Sequence, residues 1–210
     1  MAGNNLLNGA YVAGKSTVKV TTTAVSSYGA SIKSYSTVID GKTYTGNQFT
    51  TSVLSSGSKS AVLTVTDTRG KTAKLTSEAI TVYAYSNPII TEFTLARKAD
   101  DDTTVIATIK GNFSPVNGEN TKKTTIVVSL PGENSISITP TSGTINTTAT
   151  FTSVTTDSTL TGSVKITDAY NNVTREAVLP TVAVTMDFYK TGKGVSFGKV
   201  SEGEKFEVAW

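Results

Sequence analysis

Length, composition and the spacing of apolar residues together predict an all-β protein made of two sandwiches in series with a short β tail. The chain has 210 residues, about twice the roughly 100 residues of an immunoglobulin-type sandwich, and it is long enough for each half to bury a core of its own. Hydrophobic residues are 37% and charged residues 17%, both below the globular averages; Thr, Ser, Asn and Gly fill the gap. Thr suits the half-exposed face of a sheet, and Gly, Asn and Ser suit tight reversals. No window of a dozen residues keeps an apolar stripe at helical period, so almost no helix is expected. The predicted architecture is two tandem immunoglobulin-like β-sandwiches, residues 1–86 and 87–186, followed by a C-terminal β-hairpin tail or connector, residues 187–210.

The strands follow in order. Residues 17–25 (TVKVTTTAV) alternate, with Val18 and Val20 on one face and Lys19 on the other. Residues 31–39 run into Asp40-Gly41 and on to Tyr44, and an Asp-Gly pair tolerates the positive φ angles of a tight hairpin turn. Residues 49–54 are a further strand, 55–58 a loop and 60–66 an alternating strand. After the turn 67–70, residues 71–75 and 79–85 complete about seven strands. A boundary is expected at Ser86-Asn87-Pro88, because Pro lacks a ladder donor and restricts the residue before it.

The second half restates the first. Residues 63–70 (LTVTDTRG) align with residues 164–171 (VKITDAYN) at a constant offset: apolar, polar, apolar, Thr, Asp, then a turn in which Asn171 replaces Gly70, both tolerant of the left-handed region. Upstream, residues 105–109 and 124–130 take the parts of earlier strands, with Gly118 and Pro131-Gly132 as reversals. From Asp187 onward glycine and aromatics become dense. Residues 194–199 and 205–209, flanking 201–203, are expected to form a hairpin. Tyr189, Phe197, Phe206 and Trp210 are the candidate contact surface there, either against a neighbouring domain or against a second copy in a homo-oligomer.

The chemistry available is narrow. There is no Cys and no His, which removes disulfides, thiolate chemistry, imidazole bases and His-based triads. No catalytic residue, cofactor site or metal site is predicted, and the chain is expected not to be an enzyme. Asp100-Asp101-Asp102 lacks the spacing of a calcium loop and is expected at a solvated hairpin tip. The run 192–198 has glycines but not the spacing of a nucleotide-binding loop, so its glycines are assigned to turns. The net charge of +3 is scattered, without the basic stripe of a nucleic-acid binder, and no apolar run approaches the ~20 residues of a membrane-spanning helix. Neither nucleic acid nor membrane is an expected partner. Tyr35, Tyr44, Tyr83 and Tyr85 are candidates for a sugar-stacking platform, provided they share one exposed sheet face.

Four segments, residues 10–20 (AYVAGKSTVKV), 67–73 (DTRGKTA), 82–89 (VYAYSNPI) and 192–202 (GKGVSFGKVSE), resemble in their order the minor structural tail proteins of siphophages infecting streptococci and related Gram-positive bacteria. The resemblance spans most of the chain. It implies a virion component of the tail tip or tail fibre, built of immunoglobulin-like modules, assembled in the host cytoplasm, and working with other tail proteins or further domains of the same polypeptide. Members of that family are longer than this chain, which implies a piece of a longer protein. The family supplies no catalytic residues. An adhesin or carbohydrate-binding module that contacts host cell-wall polysaccharide is the alternative.

Overall fold

Alternating Val, Ile and Thr leave the backbone to satisfy its hydrogen bonds between strands, and the computed structural model, which describes residues 1–182, 186–198 and 203–208, is all-β. Among those residues the one helical element is a 3-10 turn, Thr121–Lys123. The first ten strands are β1 (Ala2–Asn4), β2 (Tyr11–Val12), β3 (Thr17–Thr21), β4 (Ile32–Ile39), β5 (Lys42–Thr45), β6 (Gln48–Thr50), β7 (Gly57–Lys59), β8 (Val62–Asp67), β9 (Thr72–Thr76) and β10 (Ile80–Tyr83). They form sheets ordered β1-β3-β6, β5-β4-β8-β9 and β2-β10-β7. The Asp40-Gly41 turn is as expected: both residues have positive φ, 51° and 71°, and Ile39 pairs with Lys42.

Next come β11 (Ile89–Lys98), β12 (Asp101–Asn112), β13 (Thr125–Ser129), β14 (Ile136–Ile138), β15 (Thr144–Phe151), β16 (Leu160–Thr167) and β17 (Asn172–Leu179). Their sheets, β11-β12-β15 and β14-β13-β16-β17, repeat the order β1-β3-β6 and β5-β4-β8-β9. The sequence repeat falls on the same turn in both. Asp67 caps the β8–β9 turn by accepting hydrogen bonds from the backbone N–H of Arg69 and Lys71. Asp168 caps the β16–β17 turn by accepting from Tyr170 and Asn171.

Three expectations change. The strand predicted over residues 17–25 ends at Thr21. In the second half β11 pairs with β12 from Ile89↔Asn112 to Lys98↔Asp101, whereas β1 reaches only residues 17–19 of β3, so residues 22–27 have no partner strand from that side. The strand expected over residues 49–54 shortens to β6, and the expected loop at 55–58 holds part of a further strand, β7, so there are more and shorter strands than seven, with a break between β7 and β8 and, as expected, between β9 and β10. At these breaks the Ala61 N–H donates to the Ser77 hydroxyl and the Ser77 N–H to the Ala61 carbonyl; beyond them β10 pairs with β7 and runs parallel to β2.

The third correction is the tail. The predicted hairpin of residues 194–199 with 205–209 is not formed: β19 (Val195–Phe197) and β20 (Phe206–Val208) run parallel, Val195↔Phe206 to Phe197↔Val208. A parallel pair needs a crossover rather than a tight turn. Gly198, just after β19, has φ 76°, and Gly203, ahead of β20, lies by the start of β19, its carbonyl so near Gly194 that a Cβ added there would stand 2.0 Å from it. The antiparallel partner of β19 is instead β18 (Asp187–Phe188). The turn between them includes Gly192, φ 74°, which matches the turn role expected for that glycine.

Apolar burial is uneven. A cluster running from Phe93 to Leu179 gathers fifteen buried residues, among them Val105, Ile109, Ile126, Val164 and Ile166. Between β3 and β10 the corresponding cluster has four, Val18, Val20, Leu54 and Val82. A third, of Leu7, Ala10, Val12 and Val116, joins residues from both halves of the chain.

Candidate functional site

The junction between the two sets of sheets is built on Asp168. Its carboxylate is buried, and besides capping its own turn it accepts from the amide of Asn120 at 3.1 Å and from the Tyr85 hydroxyl at 3.2 Å. Asn120, wholly buried, also donates to the Ser114 carbonyl at 2.7 Å and accepts from the Ala169 N–H at 3.0 Å. Asn171 donates to the Tyr85 hydroxyl and to Asn87, and the Ser86 N–H donates to the Ser114 hydroxyl at 2.8 Å. A buried charge with this many donors is compensated in place. The segment leaving β10 is thus tied to the β16–β17 turn and to the loop after β12.

Apolar and aromatic contacts close the same junction. Val116 is buried against Leu7, Ala10 and Val12, with Tyr83, Tyr85 and Tyr170 packed around them. Its φ is 48°, followed by 53° at Asn117 and 82° at Gly118. A β-branched residue in the left-handed region is an outlier held by its surroundings, and what holds Val116 is the socket its side chain fills. Tyr85 and Tyr170 meet edge to face with centroids 5.0 Å apart, and the Lys15 ammonium lies 5.4 and 5.3 Å from the two rings, a geometry worth about 0.5–1 kcal/mol at a partly exposed site. Burial pushes the Tyr85 phenol above its ordinary value, and burial with the neighbouring Asp168 charge does the same at Tyr170. Across the junction Asn8 donates to Glu119 at 3.0 Å.

The four tyrosines proposed as a sugar platform do not share a face. Tyr83 and Tyr85 belong to the junction. Tyr35 lies on β4, and Tyr44 on β5 stacks flat on Phe49 at 4.7 Å while its hydroxyl accepts from the Ser52 N–H. Tyr83 lies on β10 as expected, whereas Tyr85, expected in the same strand, lies beyond its end; period-2 alternation says nothing of which neighbour covers a ring. Asp168, Asn120 and Val116 were missed as site residues. The repeated Thr-Asp-turn was the one signal that touched them.

A second feature is an open apolar groove of about 570 Å³ beside β9, lined by Val25, Tyr28, Leu63, Val65, Ala73 and Leu75. Val25 is 95% exposed, Tyr28 92% and Leu75 67%, so large apolar side chains face water together. Basic groups rim it: Lys71 and Lys74 have no carboxylate partner among the described residues, and Asp67 is held by Arg69 at 2.8 Å. That guanidinium, helped by the backbone N–H groups of Lys71 and Arg69, holds the Asp67 carboxyl below its ordinary range.

No protein-family profile matches the chain. No curated protein is similar to it. Among solved structures, the titin domains Z1Z2 in complex with telethonin are 16% identical, covering 79% of this chain and 80% of theirs with a TM-score of 0.37. An amphioxus IgVJ-C2 molecule is 11% identical over 82% of this chain and 99% of its own, TM-score 0.37. A chimeric titin Z1Z2-Z1Z2 tandem is 13% identical over 71% and 84%, TM-score 0.33.

The candidate contact residues of the tail are partly brought together. Phe197 and Phe206 meet on β19 and β20 with centroids 5.8 Å apart, both exposed. Tyr189 stands apart from them, before the Gly192 turn, under the Lys190 ammonium. Trp210 lies outside the described residues. The acidic run 100–102 is at the β11–β12 hairpin tip, where Asp101 accepts from Thr103 and Thr104, which lowers its carboxyl to about 2.

Proposed function

We propose that the chain is a non-catalytic spacer: two immunoglobulin-like sandwiches in tandem, held at a fixed angle, that form part of a bacteriophage tail tip or tail fibre. The observation that carries the spacer reading is the junction. A flexible linker would leave polar groups to water, whereas residues 83–88 have side chains and backbone committed to both halves through Asp168, Asn120 and Ser114. The doubled order of strands supports the reading of two equivalent sandwiches, since each set provides two sheets with an apolar interior. The phage assignment rests on the order of the four sequence motifs. Its partners are then other tail proteins or further domains of the same polypeptide, and its location is the virion, assembled in the host cytoplasm.

Gold-labelled antibody raised against the chain tests this reading on purified virions of the phage that encodes it. Label at the distal tail is the expected result; unlabelled virions overturn it. The adhesin alternative loses its main support, because two of the four proposed sugar-stacking tyrosines are engaged within the junction. Incubation of the purified chain with isolated streptococcal cell walls is expected to leave it in the supernatant.

A further inference from the structure

We propose that the groove beside β9 is a docking site for an extended segment from another polypeptide, one with apolar side chains at alternate positions and a carboxylate to meet Lys71 and Lys74. The occupant is inferred from the chain itself, and the inference rests on reading the two halves as equivalent. With the repeat aligned on Asp67 and Asp168, Leu63 corresponds to Val164 and Val65 to Ile166. Leu63 pairs with Leu75 and Val65 with Ala73; Val164 pairs with Arg175 and Ile166 with Val173. So Leu75 stands where Arg175 stands, and Ala73 where Val173 stands.

In the second half that place is bridged: Arg175 is exposed, but its guanidinium is tied to a neighbouring segment, and Val173 is half-buried. Arg175 donates to the carbonyls of Thr91 at 2.7 Å and Ile90 at 3.4 Å, Ile90 and Val173 pack on the same core, and Asn171 reaches Asn87. Residues 85–91, the extended segment that follows one set of sheets and enters the next, therefore run along the β16–β17 edge. In the first half no hydrogen bond joins β9 to any strand but β8 among the described residues, and Leu75, Val25 and Tyr28 are left in water. An exposed edge with an adjoining apolar surface is the usual acceptor for an added extended segment. Arg175 at the bridged position takes carbonyls; Leu75 at the open one takes an apolar side chain. The rim of Lys71 and Lys74 selects an acidic residue beside it.

The probe is a blocked synthetic peptide with the sequence of residues 82–95, which ends an immunoglobulin-like set of strands and carries Glu92. Titrated into the full chain and followed by calorimetry, it is expected to bind saturably. Leu75→Asp and Val25→Asp, both at exposed positions, are each expected to weaken binding at least about tenfold, the loss of one buried aliphatic contact. Val178→Asp, at a position on β17 nearly as exposed as Leu75, is expected to leave it unchanged. No saturation at millimolar peptide, equal binding of a scrambled peptide, or equal binding by Leu75→Asp overturns the proposal. None of these outcomes alters whether antibody labels the phage tail, so the docking site and the tail assignment fail separately.

Discussion

Asp40 sits in the β4–β5 turn with a positive φ, and its carboxylate is engaged by the Lys59 ammonium at 2.7 Å and by the N–H and hydroxyl of Ser55. The ion pair with Lys59, first, and the Ser55 donors, next, lower its carboxyl from 3.8 to about 2. The folded value lies below the unfolded one, so the stabilisation is present above about pH 4 and is lost as the pH falls through the folded value near 2. Asp40→Asn isolates this charge, because Asn-Gly serves the same left-handed turn at least as well. The variant is expected to keep the hairpin at neutral pH and to show a smaller fall in melting temperature between pH 4 and pH 2 than the parent. An unchanged slope would assign the acid sensitivity to other carboxylates, of which Asp101 is the first to test. The turn itself was legible from Asp40-Gly41 alone. Its anchoring to Lys59 was not, since nothing local links residues 19 positions apart.

At the scale of the element, local patterns carried the strands and their turns but not their partners. Alternation pointed to β3 and β8, the Asp40-Gly41 turn to β4, and the repeat to β12, β16 and the paired β8–β9 and β16–β17 reversals. Alternation also ran β3 on to residue 25, because periodicity does not reveal that β1 stops at Asn4. It likewise carries no strand direction, which is why the parallel pairing of β19 with β20 looked like a hairpin. Gly111 is a case where the element depends on a missing side chain. It faces Ile90 on β11 beside a register shift, and an added Cβ would meet the Ile89 carbonyl at 2.3 Å. The obstacle is backbone, which cannot swing aside as a flexible side chain can. Gly111→Ala is expected to destabilise the second half by about 1–3 kcal/mol, as overpacking does, measured as a lower denaturant midpoint with an unchanged slope. A midpoint equal to that of the parent would mean that β11 shifts without loss.

For the whole molecule, the unequal cores decide how the halves share stability. The cluster of the second half has fifteen buried residues, while the four-residue cluster of the first leaves Leu63 and Val65 under the open groove. The first half therefore draws on the junction, where Leu7, Ala10 and Val12 are covered by Val116 and by Tyr83, Tyr85 and Tyr170. Tyr85 meets four partners there: the Asp168 and Asn171 side chains, the Tyr170 ring and the Lys15 ammonium. Tyr85→Ala removes a half-buried ring and its hydroxyl, a loss of about 2 kcal/mol. Asp168 keeps its backbone donors and Asn120 in the variant, so the second half retains its own cap. Scanning calorimetry is expected to split the unfolding of the variant into two transitions, with the lower one belonging to residues 1–83 and the upper one displaced far less. Hydrogen exchange assigns them, as β3 and β8 amides should open in the first transition and β12 and β16 amides in the second. A single transition shifted as a unit would mean that the two halves are coupled through contacts other than this ring.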